Sequence, residues 1–177
     1  MSTWSQSFKP ILVLTVVCLI AGIVLSSANV LTAPVIVAYE EAANNETYFT
    51  ALPEADSFTS VPCELAGVTA VLRADNGAGW VITAQARGYG GQVPAAVAFS
   101  PEGEILRVIM MPNGETPGLG QKVTEPDFAG QFSGMAAQSL SLEDIDAVSG
   151  ATISSRAAAA AINLAIEAFQ SVTGGAA

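Results

Sequence analysis

Residues 146–172 read DAVSGATISSRAAAAAINLAIEAFQSV, a run of small residues leading into an alanine-rich segment. The part from 153 to 172 has good helix propensity and stops before Gly174-Gly175, so it predicts a long C-terminal helix. The Ser-Gly-Ala-Thr at 149–152 sets hydroxyls where a loop gives way to that helix, beside four backbone N–H groups that have no intrahelical acceptor. Such an end attracts anions. A phosphate placed there gains N–H hydrogen bonds and a helix-dipole contribution of about 0.3–1 kcal/mol per charge, with Arg156 one turn on as a counter-charge. The competing reading is an ordinary helix cap, in which Ser149 or Thr152 satisfies the helix's own donors.

Upstream of this segment the character is β. Apolar runs at 65–72 (LAGVTAVL), 80–86 (WVITAQA), 95–99 (AAVAF) and 104–111 (EILRVIMM) are separated by ADNGAG, GYGGQVP and SPEG. These turn signals predict strands that pair antiparallel, with SPEG the clearest hairpin. A loop rich in Pro and Gly follows, PNGETPGLGQK at 112–122, and then a short helix from about Glu125 to Phe132. The segment 35–52 has helical spacing, with Pro53 ending it. The expected class is therefore α+β, with antiparallel strands and a long C-terminal helix in one domain.

The N-terminal region differs in kind. From Ile11 to Leu31 no charge interrupts an apolar run, about 31 Å as a helix at ~1.5 Å per residue, which matches a hydrocarbon core of ~30 Å. A transmembrane helix over 11–33 is expected, with residues 1–10 before it, a stalk helix and linker over 34–62, and the domain over 63–177. Lys9 and the amino terminus precede the run and no Lys or Arg follows until Arg73, so the N-terminus is expected in the cytoplasm and the domain outside it. Ser26-Ser27-Ala28 also has the spacing of a signal-peptidase site, which would give the same location for a cleaved chain.

Of the 177 residues 51% are hydrophobic and 12% charged, and none is histidine. That absence removes Ser-His-Asp and Cys-His catalytic groupings and His-ligated metal sites. Cys18 falls in the apolar run and Cys63 in the domain, too few for a four-thiolate cluster, and no metal site is expected. A net charge of −10 argues against nucleic acid as a partner. Any chemistry in such a chain uses poorer tools or a borrowed cofactor.

DAVSGATISS at 146–155 resembles the flavinylation motif of the FMN-binding domain family, in which an Asp-x-x-Ser/Thr-Gly-Ala-Thr sequence receives FMN covalently. ETPGLG at 115–120 resembles the family's other hallmark. With one N-terminal helix and a small domain, the chain is similar to the G-subunit family of Rnf electron-transport complexes, which is related to the C-subunit family of sodium-pumping NADH:quinone reductases. The resemblance implies that Thr152 carries FMN through a phosphoester. It implies that Asp146, with Ser149, Gly150 and Ala151, is read by a flavin transferase that uses FAD and a divalent metal. Ser149, Gly150, Ala151 and Ser155 are then expected near the cofactor, as are Glu115, Thr116, Gly118 and Leu119 from the second motif. Relatives often have histidine where this chain has Asn113, and Tyr89 in GYGGQ reads either as a ring neighbour or as an aromatic plug of a turn.

The implied function is a membrane-anchored protein that relays electrons through covalent FMN as one part of an ion-translocating ferredoxin:NAD+ oxidoreductase, not a complete enzyme alone. Its implied partners are the complex's other membrane and peripheral subunits, and the transferase during maturation. A flavinylated carrier serving another membrane oxidoreductase, and an anchored binding domain without flavin, are the alternatives.

Overall fold

The computed structural model describes residues 3–174, without the side chains of 3–10, 28, 30–42 and 142. The charge at Lys9 and the distal part of the expected 11–33 span thus fall outside the described side chains. The chain divides after Asn45 into two compact units.

In the first unit the chain is helical, as part of α1, Thr3–Ala51. The helix begins before the apolar run and continues beyond it. Large apolar side chains from Ile11 to Leu25 are exposed. The hydroxyls of Thr15 and Ser27 donate to carbonyls four residues back, Ile11 at 2.9 Å and Ile23 at 2.8 Å, so they need no outside partner. Among the described residues no helix is long and apolar enough to cross a membrane.

The second unit is built on five antiparallel strands in sequence order: β1 (Phe58–Ser60), β2 (Val68–Ala74), β3 (Trp80–Arg87), β4 (Gln92–Phe99) and β5 (Ile105–Met110). Strand β1 pairs with β2 through Phe58–Ala74 and Ser60–Leu72, so the sheet begins inside the stretch read from sequence as linker. Strand β4 also starts earlier than its apolar run, because Pro94 continues the ladder opposite Gln85. Alternate residues of the central strands serve two faces. Ile82, Ala84, Val93, Ala95, Val97 and Phe99 meet α3, Thr152–Thr173, while Val81, Ala96 and Ala98 meet Tyr48, Ala51 and Leu52. That double burial is why AAVAF reads as a continuous apolar run.

Helix α3 presents Ala157, Ala158, Ala161 and Ala165, none more than 3% exposed, so its axis lies close to the sheet, with Ile162 and Phe169 filling the remaining space. Between β5 and α3 the chain makes a short 3-10 turn at Gly120–Thr124, then α2 (Pro126–Gly130) and a second 3-10 turn at Leu142–Asp144. Val123, Phe128 and Phe132 plug this connection into the main core. Asn163 fixes it to α3 by bonding both the N–H and the carbonyl of Leu140, at 2.8 and 2.9 Å.

Candidate functional site

Helix α3 starts at Thr152 with Ala151 in the cap position, and no side chain caps its first turn. Neither Ser149 nor Thr152 therefore serves as the N-cap, one of the two roles the sequence left open for them. Gly150 carries the backbone into the helix at φ +80°, a conformation that costs an L residue, and a Cβ there would stand 3.2 Å from Leu119 Cδ1. The turn is held from behind. Ser155, fully buried, accepts from Val148 N–H at 3.0 Å and donates to the Ala151 carbonyl at 3.1 Å.

Thr152 and Ile153 are exposed, and both open onto a cavity of about 490 Å³. Glu115, Thr116, Leu119, Gly120, Gly150, Ala151, Ser154 and Tyr89 complete its walls. Three apolar side chains at this site are exposed: Tyr89 at 72%, Ile153 at 54% and Leu119 at 43%. The two sequence motifs and the GYGG turn, distant in the chain, thus form one cleft.

The loop wall is set by Asn113. Its Oδ1 accepts the Glu115 N–H at 3.1 Å, an Asx-type turn, while the Thr116 carbonyl accepts from Leu119 and Gln121 N–H groups, each at 3.2 Å. Asn113 thus has a local backbone task.

Glu115 is the unusual member. It is 2% exposed, and its carboxylate accepts the Gly90 N–H at 2.7 Å and the Ser154 hydroxyl. Burial pushes its titration upward. The Ser154 hydroxyl and the backbone N–H groups of Gly90, Gly91 and Tyr89 outweigh that effect and hold it below the ordinary glutamate value. The turn at Gly90 thus serves a carboxylate of the protein itself.

Of the expected residues, Thr152, Gly150, Ala151, Glu115, Thr116 and Leu119 line the cavity, and Ser149, Gly118, Ser155 and Asp146 do not. Ser155 points into the core, where its hydroxyl supports the loop. Asp146 lies exposed on the approach, with its N–H donating to Gln131 Oε1 at 2.6 Å. Arg156 is exposed but is not a wall residue. Sequence reasoning missed Ser154, Gly120 and Ile153.

The G-subunit of the proton-translocating ferredoxin:NAD(+) oxidoreductase complex of Clostridium ljungdahlii is 30% identical over 169 residues, covering 92% of this chain and 91% of its own. The chain belongs to the G-subunit family of Rnf-type complexes. Its residues 88–167 match the FMN-binding domain, a span that contains both motifs and the GYGG turn from Gly88. The G-subunit of the Na(+)-translocating complex of Acetobacterium woodii is 26% identical over 197 residues, with 96% of this chain and 95% of that one covered. Among solved structures, NqrC of Shewanella oneidensis shares the fold, with a TM-score of 0.51 at 24% identity over 66% of this chain and 68% of that one. The C-subunit of the Na(+)-translocating NADH-quinone reductase from Parabacteroides distasonis gives 0.50 at 20% identity, over 60% and 61%. In this G-subunit-family chain the residues that line the cleft at the start of α3 all fall within the matched span.

Proposed function

We propose that this chain relays electrons through FMN attached by a phosphoester to Thr152, as a membrane-anchored component of an ion-translocating ferredoxin:NAD+ oxidoreductase. The observation that carries this reading is an exposed threonine at the uncapped start of α3, lining a cleft of about 490 Å³. The residues fit the group. The volume lies within the ~300–1,000 Å³ of small-molecule sites, and the first-turn N–H groups, with no side-chain acceptor, suit phosphate oxygens. Leu119, Ile153 and Tyr89 supply apolar surface of the kind a flavin ring covers.

Attachment is a group transfer made by a flavin transferase. The threonine oxygen forms the new bond to phosphorus, the pyrophosphate bond of FAD breaks, AMP leaves, and the hydroxyl proton passes to solvent. The small residues Gly150 and Ala151 leave the approach to Thr152 open, while Asp146, outside the cleft, is free for recognition by the transferase. When bound, FMN supplies reversible electron exchange. Covalent attachment keeps the group in place where free FMN is scarce, because a noncovalent site fills only in proportion to ligand concentration over Kd.

The uncharged run from Ile11 to Leu31 and the exposed apolar side chains along α1 support an anchor, and the charge asymmetry supports an extracytoplasmic domain. The names of the relatives support the complex's other subunits as partners. Chain co-expressed with a flavin transferase is expected to give a fluorescent band after denaturing electrophoresis, and Thr152→Ala none. A band that persists in the variant places the acceptor elsewhere. Protease added to intact spheroplasts is expected to cut beyond residue 34, and full protection reverses the orientation.

A further inference from the structure

The carboxylate of Glu115 bridges two segments far apart in the chain. One oxygen takes the Gly90 N–H, 25 residues before it, and the other takes the hydroxyl of Ser154, 39 residues after it. A buried charge without such partners is costly, and none of the groups that face this carboxylate is cationic. Each oxygen thus holds a donor from a different segment of the protein, and Glu115 forms part of the cavity floor.

The surroundings are shaped around this link. A Cβ on Gly88 would stand 2.5 Å from Glu115 Oε1, one on Gly120 would stand 2.8 Å from Ser154 Oγ and 3.0 Å from Glu115 Oε2, and one on Gly90 would stand 2.1 Å from the Gly114 carbonyl. Gly88 and Gly120 thus close on the carboxylate and its partner, and Gly90 on the backbone beside them, with no room for a side chain. Ser154 is in the same first helical turn as Thr152. Rotation or fraying of that turn would break the bond from Ser154.

We propose that Glu115 is a positioning residue, whose carboxylate clamps the 88–91 turn to the first turn of α3 and so holds Thr152 at the angle needed for flavin attachment. The proposal rests on the FMN reading above and adds to it a residue that acts on Thr152 through Ser154. The link acts through Ser154, and this separates it from a general contribution to stability.

The test measures the rate of attachment from FAD by a purified flavin transferase, at saturating full-length chain in detergent, for Glu115→Gln, Ser154→Ala and the double variant. Each single substitution is expected to slow attachment about tenfold, since small misplacements of a reacting atom are costly, and the double variant no more than the slower single. Wild-type rates in the single variants, or effects that multiply to about a hundredfold in the double, overturn the proposal. Should Glu115→Gln not fold, Ser154→Ala, which removes one hydroxyl, decides by the same criterion. A wild-type chain that takes no flavin defeats the FMN reading instead. The clamp is then read in the flavin-free chain, where amide exchange at 89–91 is expected to rise about tenfold in Ser154→Ala and an unchanged rate overturns it.

Discussion

At its C-terminal end α3 is tied down by aromatic packing and a formed cap. Phe169 stacks on Phe99 with ring centroids 4.7 Å apart and meets Trp80 edge-on at 6.4 Å, and Gln170 donates to the Ala137 carbonyl at 2.8 Å. Gly174 ends the helix in a left-handed cap at φ +73°, its N–H bonding the Gln170 carbonyl. At the N-terminal end Ala151 supplies no cap, Thr152 and Ile153 are exposed, and the buried groups beneath are polar: Ser154, Ser155 and Glu115. One end is built for stability and the other leaves donors and a hydroxyl available, with hydrogen bonds in place of apolar packing to keep it ordered. Local rules are broken where the site lies.

Removing the aromatic anchor gives the largest effect on stability. Phe169→Ala is expected to cost about 3–5 kcal/mol in urea unfolding, while flavin attachment per folded molecule stays unchanged. A loss of attachment in the folded fraction would mean that the two ends are not separable. Next, Gly90→Ala sets a Cβ 2.1 Å from the backbone oxygen of Gly114, which cannot yield as a flexible side chain would. It is expected to cost about 1–3 kcal/mol and to displace the cleft wall, read as faster amide exchange at 113–116.

The third effect is pH-dependent. Because Glu115 titrates below its ordinary value of 4.5 in the folded chain, the unfolded state binds the extra proton first, and stability rises with pH through that range. Its contribution is present above about 4.5 and is lost as pH falls through the lower folded value. The stability gap between wild type and Glu115→Gln is therefore expected to close on acidification from pH 6 to pH 3 in thermal unfolding. A gap that does not change with pH would show that the carboxylate's charge is not what the cage holds. The smallest effect on stability falls at Thr152. Thr152→Ala is expected to change unfolding by less than about 0.5 kcal/mol, as for an exposed side chain outside a cap, whereas a loss near 1 kcal/mol would restore the cap reading.

Much of this is legible in the sequence. Alanine spacing and the Gly174 stop define α3, SPEG turns β4 into β5, and Pro53 stands just beyond the end of α1. Strand β1 is not legible, because FTS is too short to show alternation and its place is set by its pairing with β2 and by Asp75, which accepts from Ser57 and Thr59 hydroxyls at 2.6 Å. Pro94 hides the start of β4, since proline reads against a central strand; it lies beside Ala95–Met110, where the β4–β5 ladder ends. At the site, residue types locate the cleft, and the roles within it shift. Ser155 and Glu115 share the polar character of ligand contacts, and only packing reveals that Ser155 faces the core and that the glycines at 88, 90 and 120 enclose Glu115. Glycine carries no pattern of its own, so a cage made from it has no periodic signal in the sequence.

The central claim is that one threonine at an uncapped helix start holds the flavin. Its most direct test is the intact mass of the full chain produced with a flavin transferase, followed by mass mapping of the fragment that contains residues 146–156. A gain of roughly 0.4 kDa is expected on that fragment, localised to Thr152 and absent from Thr152→Ala. An unmodified wild-type chain, or the same gain on another fragment, would contradict it.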